Sequence, residues 1–124
     1  MSYDIRYGVE SRYPDLSGDS MVVIGAPEYD SPTYNLREMF VACMDWDYKQ
    51  GFWYPMAEVL PKIERGVREL TEHRERYLRY NPPNGWGSLD GALECLRNWH
   101  QELADPDFWG VTRDWPIEHL WWRW

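Results

Sequence analysis

The sequence predicts an α+β domain in which a small antiparallel sheet packs against three helices, and three observations carry that reading. The first segment alternates apolar and polar residues with the period of a strand, and three later segments repeat apolar residues at spacings of three and four. Clusters of turn-forming residues separate these segments from one another. The 124 residues fit one domain, 1–124, without repeats, low-complexity tracts or a linker.

Tyr3, Ile5, Tyr7 and Val9 alternate with Asp4, Arg6 and Gly8, which marks a half-buried strand. Met21-Val22-Val23-Ile24, closed by Gly25, reads as its hairpin partner across a long acidic loop. Asn35-Leu36-Arg37-Glu38 has the form of a capping box, with Leu36, Met39, Phe40, Cys43 and Met44 on one face of the helix it opens. The longest helix is expected over 56–80, with a stripe of Leu60, Ile63, Val67, Leu70 and Tyr77 interrupted by Arg74. Its other face carries Glu58–Lys62, Glu64–Arg68, Glu72–Arg76 and Glu75–Arg79 at i,i+4. An interior proline costs about 3 kcal/mol, so the regular helix should start near Pro61. Asn81-Pro82-Pro83-Asn84-Gly85-Trp86-Gly87 breaks the chain, in a tight turn whose tryptophan is expected to fold back onto the domain. Ser88 then caps a third helix with Leu89, Ala92, Leu93, Leu96, His100 and Leu103 on one face. Residues 119–124 suit a strand beside the first one better than a short helix.

Composition narrows the functional classes. The formal charge of −8 argues against direct nucleic-acid binding, which needs a basic face, and against anionic membrane surfaces. The acidity is regional: residues 1–60 carry −6, residues 61–80 carry +2 and residues 81–124 carry −4. A partner drawn in by charge would present a basic surface. Nine Trp, nine Tyr and three Phe provide burial that a mean hydropathy of −0.72 conceals. Met1 leads into a polar stretch, no apolar run reaches the roughly 20 residues of a membrane span, and Cys43 and Cys95 lie on helices. The expectation is a cytoplasmic protein with two buried thiols, a disulfide being the lesser alternative.

No motif amounts to an active site. His73, His100 and His119 are far apart, with no HxH, HExxH or CxxC, so neither a metal nor another cofactor is expected. His100, on an apolar face, should be a hydrogen-bonded core histidine, and a Cys–His nucleophile is disfavoured for thiols on buried stripes. The best enzymatic option is the carboxylate pair Asp45 and Asp47 around Trp46, near Trp53 and Tyr54, because acids beside aromatic platforms suit sugars. The same rings, with Trp86 in its turn and Trp121 and Trp124 in the Trp-rich tail, are also candidates for a protein-binding surface.

The opening Met1-Ser2-Tyr3-Asp4-Ile5, the helix entry Thr33-Tyr34-Asn35, the helix from Ala57-Glu58-Val59-Leu60-Pro61 to Leu70 and the Asn84-Gly85-Trp86-Gly87 turn resemble small phage- and prophage-encoded proteins of unknown function. The long acidic stretch after Gly8 and the Trp-rich tail depart from that pattern. The resemblance implies a non-virion accessory gene, and no catalytic residue comes with it. In that setting an acidic protein that inhibits a basic host component, of the anti-CRISPR type, is the leading expectation. A carbohydrate-binding or glycoside-cleaving protein and a toxin-immunity protein are the alternatives.

Overall fold

A computed structural model describes residues 5–10, 21–25, 33–49, 51–104 and 120–124. Among the described residues, four strands, β1 (Arg6–Glu10), β2 (Met21–Gly25), β3 (Trp53–Pro55) and β4 (Leu120–Arg123), form one antiparallel sheet in the order β2-β1-β4-β3. The helices are α1 (Arg37–Met44), α2 (Met56–Glu72), the single turn α3 (Arg74–Tyr77) and α4 (Leu89–Ala104). The α+β reading holds, with the terminal strand beside the first as expected. β3 was not anticipated.

Directly opposed residues of antiparallel strands share a face. Trp122 stands opposite Tyr7 on one side and Tyr54 on the other, and this row meets the helices, where Trp122 packs edge-on against Trp99 of α4 at 5.5 Å. On the other face Arg123 lies between Arg6 and Trp53, its guanidinium 5.1 Å from the Trp53 ring centre. Beneath the sheet, α2 packs between α1 and α4.

The five apolar positions assigned to α1 are all buried. Its start differs from the expected capping box. A 3-10 turn (Tyr34–Leu36) begins at Thr33, whose hydroxyl accepts from the Asn35 amide and side chain, so Asn35 donates where a cap would accept. The α1 C-terminus is closed by Asp45 in the left-handed region at φ 51° and by a Trp46 N–H to Val41 O bond of 3.1 Å. Cations of α2 cover its last carbonyls: Arg65 donates to Ala42 O and Cys43 O, and Lys62 to Asp45 O.

α2 begins five residues before Pro61 and runs through it. Met56 and Val59, both fully buried, anchor that first turn, and burying two such side chains at about 1.5–3 kcal/mol each outweighs the proline penalty. The helix ends at Glu72 rather than near Tyr80, because His73 leaves the helical region. Arg74, the interruption in the stripe, then bonds Asp90 of α4 at 2.7 Å. The buried face of α2 is Met56, Val59, Ile63, Gly66 and Leu70, so Leu60 and Val67 sit at its border. The anticipated i,i+4 pairs are also replaced. Arg65 pairs with Glu69 at 3.4 Å, with His73 and Arg76 at 3.9 and 4.0 Å from the same carboxylate, and Glu64 pairs with His100. Ser88 caps α4 as expected, its hydroxyl accepting from the Gly91 amide, but the buried aromatic of α4 is Trp99.

Candidate functional site

The acids and rings of 45–54 are sorted by the backbone to opposite sides. Asp45 occupies the left-handed position that ends α1, and residues 46–49 then run without helix or strand, so side chains alternate between core and solvent. Trp46 and Tyr48 point inward, at 9% and 1% exposure, while Asp45 and Asp47 point outward. The Trp46 ring lies 4.8 Å from Tyr54 and 5.8 Å from Trp124, and Tyr48 stacks on Trp124 at 4.3 Å. Trp46 and Trp124 are therefore corrected from surface candidates to core residues, for an ordinary reason: large rings beside acids bury where the local geometry allows it.

Of the other candidates, Tyr54 is half-buried, its hydroxyl accepting from the Lys49 amide at 2.7 Å, and Trp53 is half-buried under Arg123. The Trp121 side chain lies outside the described residues, as do 105–119 with His119. Asp47, 87% exposed, receives a hydrogen bond from Arg37 at 3.3 Å. The carbohydrate platform read from Trp46 between two acids is thus absent from the surface.

Trp86 is the exception, at 69% exposure. The expectation that it folds back is corrected: the turn is held without its ring. Asn84 Oδ1 accepts from the Trp86 amide at 2.9 Å, Gly85 donates to Pro82 O, and Gly85 and Gly87 take φ of 77° and 109°. Gly87 packs on the domain so closely that a Cβ there would lie 2.7 Å from Thr33 and 3.0 Å from Leu36.

A groove of about 900 Å³ opens between the outer face of α1 and the 79–84 segment. Nothing in the sequence reading singled it out, because 81–84 registered only as a break. A smaller groove of about 370 Å³ between α2 and α4 is lined by Glu64, Arg68, Arg97 and His100. His100 is corrected here from a core residue to a half-exposed one, its Nε2 3.1 Å from Glu64: Leu89, Ala92, Leu93, Leu96 and Leu103 are buried as expected, and Trp99 takes the place expected for His100. Among the described residues, no group of three or more His, Cys, Asp or Glu is placed to hold a metal ion, and no helix is long and apolar enough to cross a membrane.

Neither thiol is a nucleophile by environment. Burial pushes Cys43 up to about 12 and Cys95 up to about 11, from an ordinary 9.0, and both are free. Because the folded values are raised, the associated stability is fully present below pH 9.0 and is lost as pH rises toward 11 and 12. Alkylation by iodoacetamide near neutral pH should leave both cysteines unmodified in the native protein and label both in urea. Native labelling of Cys43 on the time scale of a free thiol would overturn this assignment.

No family model, curated protein or solved structure matches this chain.

Proposed function

We propose that this protein acts by stoichiometric binding to a protein partner, with Trp86 as the side chain that anchors the contact. The observation that carries the reading is a tryptophan 69% exposed on a turn fixed by its own hydrogen bonds and two left-handed glycines. Trp is among the residues most enriched where binding energy concentrates, and an anchor already held in place loses little conformational freedom on docking. The formal charge of −8 favours a partner with a basic surface, and Asp45 and Asp47 add exposed acids to the described surface. The resemblance of the opening residues, the helix entry and the turn to phage and prophage proteins sets this in the host cytoplasm, as an accessory factor that inhibits a host defence component.

The test compares the wild type with Trp86→Ala. Unfolding free energy should change by less than about 0.5 kcal/mol, since the ring packs on little. Retention of a specific protein from bacterial lysate at low salt should fall about tenfold or more in the variant, and should weaken as salt is raised. Retention that is absent in the wild type, or undiminished in Trp86→Ala, would remove the proposal.

A further inference from the structure

Most rings that reach solvent in this protein lie under a cation of the same chain. Among the described residues, the Phe52 ring centre is 5.7 Å from the Lys49 ammonium, that of Trp53 is 5.1 Å from the Arg123 guanidinium, and that of Tyr80 is 4.9 Å from the Arg79 guanidinium. The buried Tyr48 likewise has Arg37 over it at 5.0 Å, and the half-buried Tyr54 is turned edge-on to Trp46 at 4.8 Å. The face of an aromatic ring is negative, so a cation placed over it is held electrostatically, most strongly by indole. Trp86 is more exposed than any of these rings, and among the described residues neither a cation nor a second ring lies over it.

The surroundings of that ring are acidic. Its turn rests on Thr33 and Leu36 through Gly87 and leads into α4 through Ser88. Residues 33–47 hold one base, Arg37, and three acids, Glu38, Asp45 and Asp47, which is −2; residues 81–94 hold Asp90 and Glu94 and no base, which is also −2. Arg37 pairs with Asp47, Arg74 pairs with Asp90, and Arg79 is held by Tyr80. Glu38 and Glu94 are exposed and make no hydrogen bond or ion pair among the described residues. An apolar pocket closing over Trp86 would draw water away from these carboxylates without replacing it, whereas a cationic surface satisfies the ring and the acids together.

We infer that the partner's counterpart to Trp86 is an arginine, whose guanidinium stacks on the indole face while neighbouring basic residues of the partner meet Glu38 and Glu94. This rests on the reading of Trp86 as the anchor and names what the anchor holds. A guanidinium suits the position better than an ammonium because it is planar, more weakly hydrated and able to stack. Three of the four cations that lie over rings within this chain are arginines.

Hexa-arginine, hexalysine and the neutral isostere hexacitrulline are titrated into the full chain at low salt, and NMR follows the indole N–H resonance of Trp86, identified by its loss in Trp86→Leu. Hexa-arginine should shift that resonance saturably, hexalysine should do so with lower affinity, and hexacitrulline should leave it in place. Trp86→Leu keeps an apolar side chain without a ring face. It should weaken hexa-arginine binding, read from the amides of 84–88, about two- to fivefold, the range of an exposed cation–ring contact. Trp86→Tyr, which keeps a face, should bind more tightly than Trp86→Leu. A Trp86 resonance unmoved by hexa-arginine, or moved equally by hexalysine or hexacitrulline, would overturn the inference, as would Trp86→Leu binding like the wild type. The result is separable from that of the lysate experiment. Retention that depends on Trp86 together with an unmoved resonance removes the arginine and keeps the anchor; a resonance shifted as expected with no protein retained keeps the guanidinium preference and removes the anchor.

Discussion

Trp99→Ala should lower the unfolding free energy by about 3–5 kcal/mol, the range for truncating a fully buried large ring. Trp99 is fully buried and stands where α4 meets both the sheet and α1: its ring lies 5.5 Å from Trp122, 5.4 Å from Trp124 and 5.8 Å from Phe40. Removing the indole deletes its transfer free energy and leaves a cavity among rings whose backbones are fixed by the β4 ladder and by α1, so collapse is limited. A thermal midpoint lower by about 10–20 °C should accompany the loss. His100→Ala, one position along, is the comparison. His100 is half-exposed and gives up its contact with Glu64, a surface contact worth well under about 1 kcal/mol. Urea unfolding of both variants reads the phase of α4 directly. Equal losses would mean that the helix is rotated from the position described.

That phase shows what the residues alone could reveal. α1 was legible because Leu36, Met39, Phe40, Cys43 and Met44 recur at helical spacing, although Val41 and Ala42 on its other side are apolar and half-buried. In α2 and α4 the apolar residues spread over a wider arc, and the centre of the buried face is set by packing. On α2 the centre includes Gly66, which contributes no hydrophobicity and was invisible to a stripe built on Leu60 and Val67. A Cβ there would lie 2.8 Å from Leu96 and 3.0 Å from Met44, so α2 packs on α4 and α1 at that residue with no room for a side chain. On α4 the same neighbours admit Trp99 and leave His100 at the rim. β3 escaped notice because Trp53-Tyr54-Pro55 is too short to show alternation, and only its pairing with β4 makes it a strand. The candidate surface was half legible. Asp45, Asp47 and Trp86 are exposed, whereas Trp46 and Trp124 are core, a distinction set by a left-handed Asp45 and by strand register rather than by residue type. The groove between α1 and the 79–84 segment depends on how two segments distant in sequence meet, and spacing carries no record of that.

Gly87→Ala should destabilise the domain by about 2–4 kcal/mol, and Gly85→Ala, two residues away, by only about 1–2 kcal/mol. Both glycines have positive φ, 77° at Gly85 and 109° at Gly87, so either alanine strains the backbone. The difference lies in the space around them. A Cβ at Gly85 meets nothing within 4 Å, while one at Gly87 meets the Thr33 methyl at 2.7 Å and two Leu36 carbons at 3.0 and 3.1 Å. Leu36 is 3% exposed at the start of α1, so it has little room to withdraw. The turn that carries Trp86 is therefore seated on the domain through a residue without a side chain, and the ring is left outside. Two kinds of loss follow. Under the proposed function, Trp86→Ala should lower partner retention about tenfold or more with the melting temperature intact, because it removes the ring from an undisturbed turn. Gly87→Ala should lower the melting temperature and reduce retention together, because it displaces the turn with the anchor still present. Calorimetry and retention measured on the same preparations separate the two. If Gly87→Ala and Gly85→Ala melt alike, the close seating of the turn on Thr33 and Leu36 is wrong, and the fixed placement of Trp86 loses its physical basis.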